Sequence, residues 1–413
     1  MGDMAIGRRS FVGMAAAGSL LPSLTLAQTS ASAPAIKLPP PITSEERLAR
    51  VAKAQRLIRE ANLGAVLIEA GSSLDYFTGV QWWRSERLTA AVIPREGAPL
   101  VVTPFFEEPS VRESLAIPAD VRVWQEDQSP ARRIADWLGE RGFQDQPVGI
   151  EETTRYFAVS ALAAEGVETV PDAGIVSMCR RIKSPAEIAL MQAASDITVA
   201  AYRETWPQVA TGMAPADVGG IMSAALAKRG AKPLFTLVLL GEAAAYPHGT
   251  GQPQEVKTGE VVLMDCGCSV HGYQADISRS WVHGDANAEQ RRVWAMVREG
   301  QQRVFDAARI GTPAGALDDA VRSYYSANGF GPDYQLPGLS HRTGHGIGMD
   351  GHEPVNIVRG ETTALAAGMC FSNEPGIYLP GKFGIRLEDC IYMTDAGPKW
   401  FSQPPTSIDA PMG

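Results

Sequence analysis

The stretch Val261-Val262-Leu263-Met264-Asp265-Cys266-Gly267, followed by Gly272-Tyr273-Gln274-Ala275-Asp276-Ile277, decides how this chain is read. A short apolar run of this kind is a buried strand. It ends in a carboxylate, and a second carboxylate stands eleven residues further on. A turn centred between Val270 and His271 predicts an antiparallel pair in which Asp265 and Asp276 face one another, with Cβ atoms about 5 Å apart. Two ionised carboxylates so close repel strongly unless a cation lies between them.

The same logic recurs downstream. Glu374-Pro375-Gly376-Ile377-Tyr378 and Ile385-Arg386-Leu387-Glu388 flank Pro380-Gly381, and the two glutamates are equally far from Gly381, so a hairpin there brings them together. Between the two hairpins lies Gly344-His345-Gly346-Ile347-Gly348, whose glycines permit close approach of the backbone to a ligand. A single Asp on a strand or a lone His is ordinarily structural. Four carboxylates and one imidazole in this arrangement match two divalent ions that share bridging carboxylates.

The set Asp-x10-Asp, Gly-His-Gly-Ile-Gly, Glu-Pro-Gly-x-Tyr and Arg-x-Glu resembles the pita-bread metallopeptidases: methionine aminopeptidase, aminopeptidase P and prolidase, with creatinase as a metal-free relative. The resemblance runs from about Arg180 to Thr406. It implies an α/β (α+β) chain in which a pseudo-twofold pita-bread domain, 180–406, follows a creatinase-like domain, 45–176. It further implies that Asp265 binds one ion, that Asp276 and Glu388 bridge both, and that His345 and Glu374 complete the site. His248, in Tyr246-Pro247-His248, and His352, in His352-Glu353-Pro354, match the family's two substrate-binding histidines. Arg386 matches a site arginine of the proline-specific members. Read without the resemblance, each of these three is an ordinary polar surface residue. His341 and His271 lack such support and are taken as surface or supporting residues.

The implied reaction is hydrolysis of a peptide bond, at Xaa-Pro in aminopeptidase P and prolidase, by a water that two divalent ions activate. In that scheme Glu374 takes the proton, His352 stabilises the oxyanion and His248 assists near the scissile nitrogen. The oxygen-rich donor set suits manganese, and cobalt, iron or zinc also fit. Gly241-Glu242-Ala243-Ala244-Ala245 stands where relatives often carry Asn or Ser, and Ser278 and Ser280 stand where threonine is usual. Creatinase-like members have lost several ligands, whereas all five are present here. Two rival readings are a non-peptidase hydrolase or lyase of a small metabolite on the same fold, and an inactive binding protein.

Upstream, a helical pattern over Glu45–Ala61 precedes strand-like runs at 64–68, 90–93 and 100–102 and helical stretches near 131–141 and 157–164. That alternation indicates a compact α/β domain, which methionine aminopeptidases usually lack. The next domain opens on Ser184-Pro185-Ala186-Glu187, a capping box with proline at the first helical position. Two blocks echo one another: Gly212 to Gly230 and Gly311 to Gly329 are each glycine-bounded turn–helix units 18 residues apart end to end, which suggests two related halves. The tandem Trp82-Trp83 either packs within its own domain or at a dimer contact, or else reaches a partner subunit's substrate pocket. The resemblance implies a homodimer.

Composition narrows the alternatives. The chain has 413 residues, 45% hydrophobic and 20% charged, with net charge -9. There is no basic run, so nothing points to a nucleic-acid partner; the partner that the resemblance implies is a peptide substrate. Cys179, Cys266, Cys268, Cys370 and Cys390 are odd in number and never Cys-x-x-Cys, so they read as buried small hydrophobes. Arg8-Arg9 ahead of the weakly apolar Val12–Leu26 run resembles a twin-arginine signal over 1–27, with a linker at 28–44. The expected location is periplasmic or secreted, with no membrane anchor once the signal is removed.

Overall fold

The computed structural model describes residues 36–412, so the export signal read at 1–27 and part of the 28–44 linker lie outside the described residues. The first element, α1 (Ser44–Glu60), is capped by the Thr43 hydroxyl, which accepts from the Glu46 N–H at 3.2 Å. There follow β1 (Ala65–Glu69), α2 (Ser72–Thr78), β2 (Ala90–Pro94), β3 (Leu100–Pro104), α3 (Glu108–Ser114), β4 (Asp120–Trp124), α4 (Pro130–Glu140), β5 (Val148–Ile150), α5 (Tyr156–Ala164), β6 (Thr169–Pro171) and α6 (Ile175–Arg180). The strands form one mixed six-stranded sheet, ordered β4-β3-β2-β1-β5-β6. Strands β1, β2 and β3 are buried along their whole length, as expected of runs without polar alternation.

The second part begins with α7 (Pro185–Thr205), whose capping box is formed on both sides by Ser184 and Glu187. It continues through α8 (Pro215–Ala227), β7 (Lys232–Leu240), β8 (Val261–Val270), β9 (Tyr273–Gln274), β10 (Ile277–Val282), α9 (Ala288–Ala307) and α10 (Gly315–Ala327). The last strands are β11 (Gly344–Gly346), β12 (Glu353–Ile357), β13 (Cys370–Asn373), β14 (Gly376–Leu379), β15 (Phe383–Arg386), β16 (Asp389–Thr394) and β17 (Gly397–Trp400). The echo in the sequence corresponds to a repeated order of elements. A helix of 21 residues and one of 13 precede the sheet β10-β8-β7, and helices of 20 and 13 precede the sheet β12-β11-β13-β16-β17. All five cysteines are buried and free.

The hairpin that carries the two aspartates differs from the expectation. The turn is His271-Gly272, with Val270 paired to Tyr273, and Asp265 therefore lies opposite Ser278. Both turn residues have positive φ, 47° and 87°, as a two-residue hairpin of this type requires, and glycine is available at the second position only. Asp276 is thus diagonal to Asp265 and not directly across from it. The displacement is an even number of residues, so both side chains still point to the same face of the sheet. The glutamate hairpin has the expected register: Asn373 pairs with Asp389 and Gly376 with Arg386, which sets Glu374 opposite Glu388.

The Gly-x-Gly-x-Gly run is crowded by protein on every side. A Cβ on Gly344 would lie 2.1 Å from the Ser372 carbonyl oxygen, one on Gly346 2.6 Å from that of Glu353, and one on Gly348 2.8 Å from the Glu353 carboxylate. Backbone of Ser372 and Glu353 closes on Gly344 and Gly346, and the Glu353 and Lys183 side chains close on Gly348.

One apolar core runs through both parts, from Leu74 and Phe77 of α2 to Met264 and Cys268 of β8. Polar ties reinforce it. Arg50 donates to the Tyr273 hydroxyl at 3.0 Å, which in turn donates to Glu187 at 2.8 Å. Arg180 reaches Ser72, Ser73, Asp350 and Glu353, and Lys183 meets the other oxygen of Glu353 at 2.9 Å. Burial pushes the Glu353 carboxyl up, but Lys183 and Arg180 outweigh it and hold it down at about 2. Its contribution to stability is therefore complete above the ordinary value of 4.5 and is lost as pH falls toward 2. In urea denaturation at pH 7, Glu353→Gln is expected to cost about 3 kcal/mol, and that gap to wild type should shrink steadily below pH 4.5. A gap independent of pH would refute the assignment.

Candidate metal centre and substrate cleft

Asp265, Asp276, His345, Glu374, Glu388, His248, His352 and Arg386 all line one cleft of about 630 Å³. Strand β8 supplies Asp265, and Asp276 sits in the break between β9 and β10, where the ladder opens. His345 is the middle residue of β11, and the two glutamates stand at the ends of β13 and β15.

Ligand-type atoms of Asp276, His345 and Glu388 lie within 4.8 Å of one another. His345 Nε2 is 3.3 Å from Glu374 Oε1 and 3.8 Å from Asp276 Oδ2. Its Nδ1 is 3.1 Å from the Gly346 carbonyl oxygen, which can only accept, so the ring proton sits on Nδ1 and the Nε2 lone pair faces the carboxylates. Burial, with His352 alongside, pushes the imidazole down to about 3, so it is neutral. Burial also raises Asp276, Glu374 (to about 7) and Glu388, and their carboxylate neighbours raise them further.

The residues present fit a bound cation. Asp265 Oδ1, Asp276 Oδ1 and Glu388 Oε1 are buried without a hydrogen-bond partner in the protein. An imidazole lone pair aimed at carboxylates has no favourable interaction there unless a positive charge lies between. Hard oxygen donors with one imidazole are the chemistry of a divalent ion.

Around this group a second set of contacts fixes the donors. Arg386 Nη2 donates to Asp265 Oδ2 at 2.8 Å, and its Nε donates to Ser278 Oγ at 3.0 Å. Ser278 donates onward to Glu388 Oε2 at 2.7 Å. Behind Glu388, buried Arg279 donates to its carbonyl at 2.9 Å and to Asp389 at 2.7 Å. Arg386 thus orients two of the carboxylates, so in this geometry it acts through them. His352 packs edge-on against His345, with ring centroids 4.1 Å apart. His248 is exposed at the cleft mouth, on the loop after β7.

His341 and Arg342 also line the cleft, and Tyr378 is buried behind His341. Of the two readings left open for His341, surface or supporting, the structure fits the second. Its Nε2 accepts from the Tyr378 hydroxyl at 2.7 Å while Nδ1 donates to the Arg342 carbonyl at 2.7 Å, and burial pushes it down to about 3. His271, by contrast, is an exposed turn residue. Trp82 and Trp83 stack on one another, ring centroids 5.8 Å apart, with Trp83 76% exposed. They line a separate cavity of about 800 Å³ that shares His352 with the cleft.

Comparison with known proteins identifies both parts of the chain. Residues 189–395 match the model for metallopeptidase family M24, and residues 50–182 match the creatinase/prolidase N-terminal domain. The chain is 31% identical to the probable dipeptidase PepE of Mycobacterium tuberculosis, over 84% of this chain and 92% of that one. It is 30% identical to the Xaa-Pro dipeptidase of Lactobacillus helveticus, over 85% and 95%. The crystal structure of dipeptidase PepE from Mycobacterium ulcerans superposes with a TM-score of 0.81 at 29% identity, covering 89% of this chain and 98% of that one.

The unpartnered oxygens have a measurable consequence. In protein stripped by a chelator, Glu388→Gln is expected to raise thermal stability, because it removes one of the repelling charges. After divalent ions are restored, the order should reverse, with wild type gaining several degrees and the variant little. If wild type and variant respond alike to the ions, Glu388 is not among the donors.

Proposed function

This chain belongs to metallopeptidase family M24, and from that premise we propose that it hydrolyses peptide bonds with Xaa-Pro specificity, using two divalent ions held by Asp265, Asp276, His345, Glu374 and Glu388. The observation that supports this most directly is the set of buried carboxylate oxygens without partners around the His345 lone pair. When bound, such ions lower the pKa of a water and polarise the carbonyl under attack. Manganese suits the oxygen-rich donors best.

The protein's own groups account for the rest. Glu374 faces the centre through Oε1, with Ser372 Oγ 3.4 Å away, and its raised pKa suits it to receive the proton of the attacking water. His352, also lowered by burial and by Arg342, is neutral and donates to the oxygen that becomes negative in the transition state. His248, at the mouth, stands toward the scissile nitrogen. Phe235, Leu237 and Pro247 form an apolar wall suited to a proline ring. The hydrogen bonds from Arg386 and Ser278 hold Asp265 and Glu388 in place before substrate arrives.

Two wider proposals accompany this reading. Export to the periplasm or outside the cell rests on Arg8-Arg9 and the apolar run behind them. Among the described residues no helix is long and apolar enough to cross a membrane. A homodimer is supported by the exposed aromatic surface at Trp83, Phe105 and Phe106.

With manganese supplied, purified protein is expected to cleave Gly-Pro or Ala-Pro-Pro. Glu374→Ala should lower kcat by about 10³-fold or more, and His352→Ala by about 10²-fold with a smaller change in KM. Ion binding without cleavage of either peptide would favour a small-metabolite hydrolase or lyase. Undiminished activity in Glu374→Ala would remove Glu374 from the mechanism.

A further inference from the structure

A groove of about 1000 Å³ lies beside the catalytic cleft, and His248 and Leu237 line both. Its walls come from the two opposite faces of the sheet. Gly219, Gly220 and Ser223 of α8 stand on one side, and the loop Gly249–Gln254 on the other. Between them runs β7, the edge strand of β10-β8-β7.

The direction of its main-chain groups follows from one contact. The Leu240 N–H donates to the Gln254 side-chain oxygen at 3.0 Å, so it points away from β8. By the two-residue alternation of an antiparallel strand, the N–H and C=O of Val238 and Thr236 face outward as well. Among the described residues no hydrogen bond takes them. A planar amide already caps the edge at Leu240, in the manner of a partner strand. The wall is also thinner than packing requires. Gly219 is explained by Thr236, whose Oγ1 would lie 3.0 Å from a Cβ there, but a Cβ on Gly220 would meet nothing within 4 Å. A glycine inside a helix costs about 1 kcal/mol relative to alanine, and nothing in the protein's packing accounts for this one.

We infer that the outer edge of β7 binds the C-terminal continuation of a peptide substrate as an added strand, the peptide passing His248 and Leu237 from the cleft into the groove. The inference rests on the peptidase reading and deepens it. Leu237 is paired with Asp265, so an added strand would lie two strand spacings, about 10 Å, from the strand that carries a candidate ligand. Recognition through main-chain hydrogen bonds is indifferent to side chains. Substrates of three or more residues with varied sequence after the proline are therefore the preferred class, over dipeptides.

The test compares Ala-Pro with Ala-Pro-Ala-Ala-Ala in wild type and in Gly220→Leu, a change that favours the helix and fills the groove outside the catalytic cleft. Wild type should show at least a tenfold higher kcat/KM on the longer peptide, through KM. The variant should lose that gain and hydrolyse Ala-Pro within twofold of wild type. Equal effects on both substrates, or none, overturn the inference. A binding arm separates it from the peptidase reading. A fluorescent hexapeptide with a reduced, uncleavable first bond should bind Gly220→Leu at least tenfold more weakly. N-methylation at successive residues should weaken its binding to wild type with a period of two. If no peptide is hydrolysed but both binding effects appear, the slot stands while the catalytic reading falls. If affinity is unchanged in the variant or lacks the two-residue period, strand addition is wrong whatever the activity.

Discussion

Four carboxylates share one buried cleft, and the energetic problem they pose governs the second half of this chain. Asp276 and Glu388 are fully inside the protein, and each is raised by burial and then by its acidic neighbours. A fold selected for stability alone would not assemble such a group, since a buried unpaired charge costs several kcal/mol. A bound divalent cation would relieve that repulsion, and the orientation of His345 suits one. Its proton is committed to a backbone carbonyl, which leaves a lone pair facing negative charge.

Much of the surrounding structure serves to hold those donors where they repel. Arg386 and Ser278 link Asp265 to Glu388 through a continuous chain of donors. Arg279 and Asp389 form a buried pair that also grips the Glu388 backbone, and Gln301 joins it from α9. The hairpins set the spacing, and the side-chain network sets the orientation. Neither is sufficient alone: a strand fixes Cα positions, but a carboxylate still rotates about its own bonds unless something is hydrogen-bonded to it.

The legible part of this design was whatever depends on parity and symmetry along the chain. Glu374 and Glu388 are equidistant from Gly381, and one uninterrupted register, from Cys370 with Tyr392 to Leu379 with Phe383, carries the pairing across both ladders. For the aspartates the turn lies one residue later than symmetry suggests, so they are diagonal and not opposed; the even displacement leaves only their shared face as read. Less legible was anything decided by contacts distant in sequence. The glycines around His345 gave no sign that Ser372 and Glu353 would crowd them. His341 lies in an aperiodic loop, and only the fold brings Tyr378 to its Nε2. In the N-terminal part, short elements such as α2, β5 and β6 carry too few residues for a period to show.

The same distinction explains why the N-terminal part belongs to the site. The loop bearing His352 follows β11 and has little regular structure of its own, yet its position decides where the imidazole enters the cleft. Glu353 gathers the loop by accepting from the Met349 and Asp350 N–H groups at 3.0 and 3.1 Å. Arg180 then ties both Glu353 and Asp350 to Ser72 and Ser73 at the start of α2. A loop that would otherwise sample many conformations is thus referenced to a rigid helix in a different part of the chain. The six-stranded sheet and its helices therefore do more than precede the carboxylate cleft: through Arg180 they fix the loop that carries His352 into it.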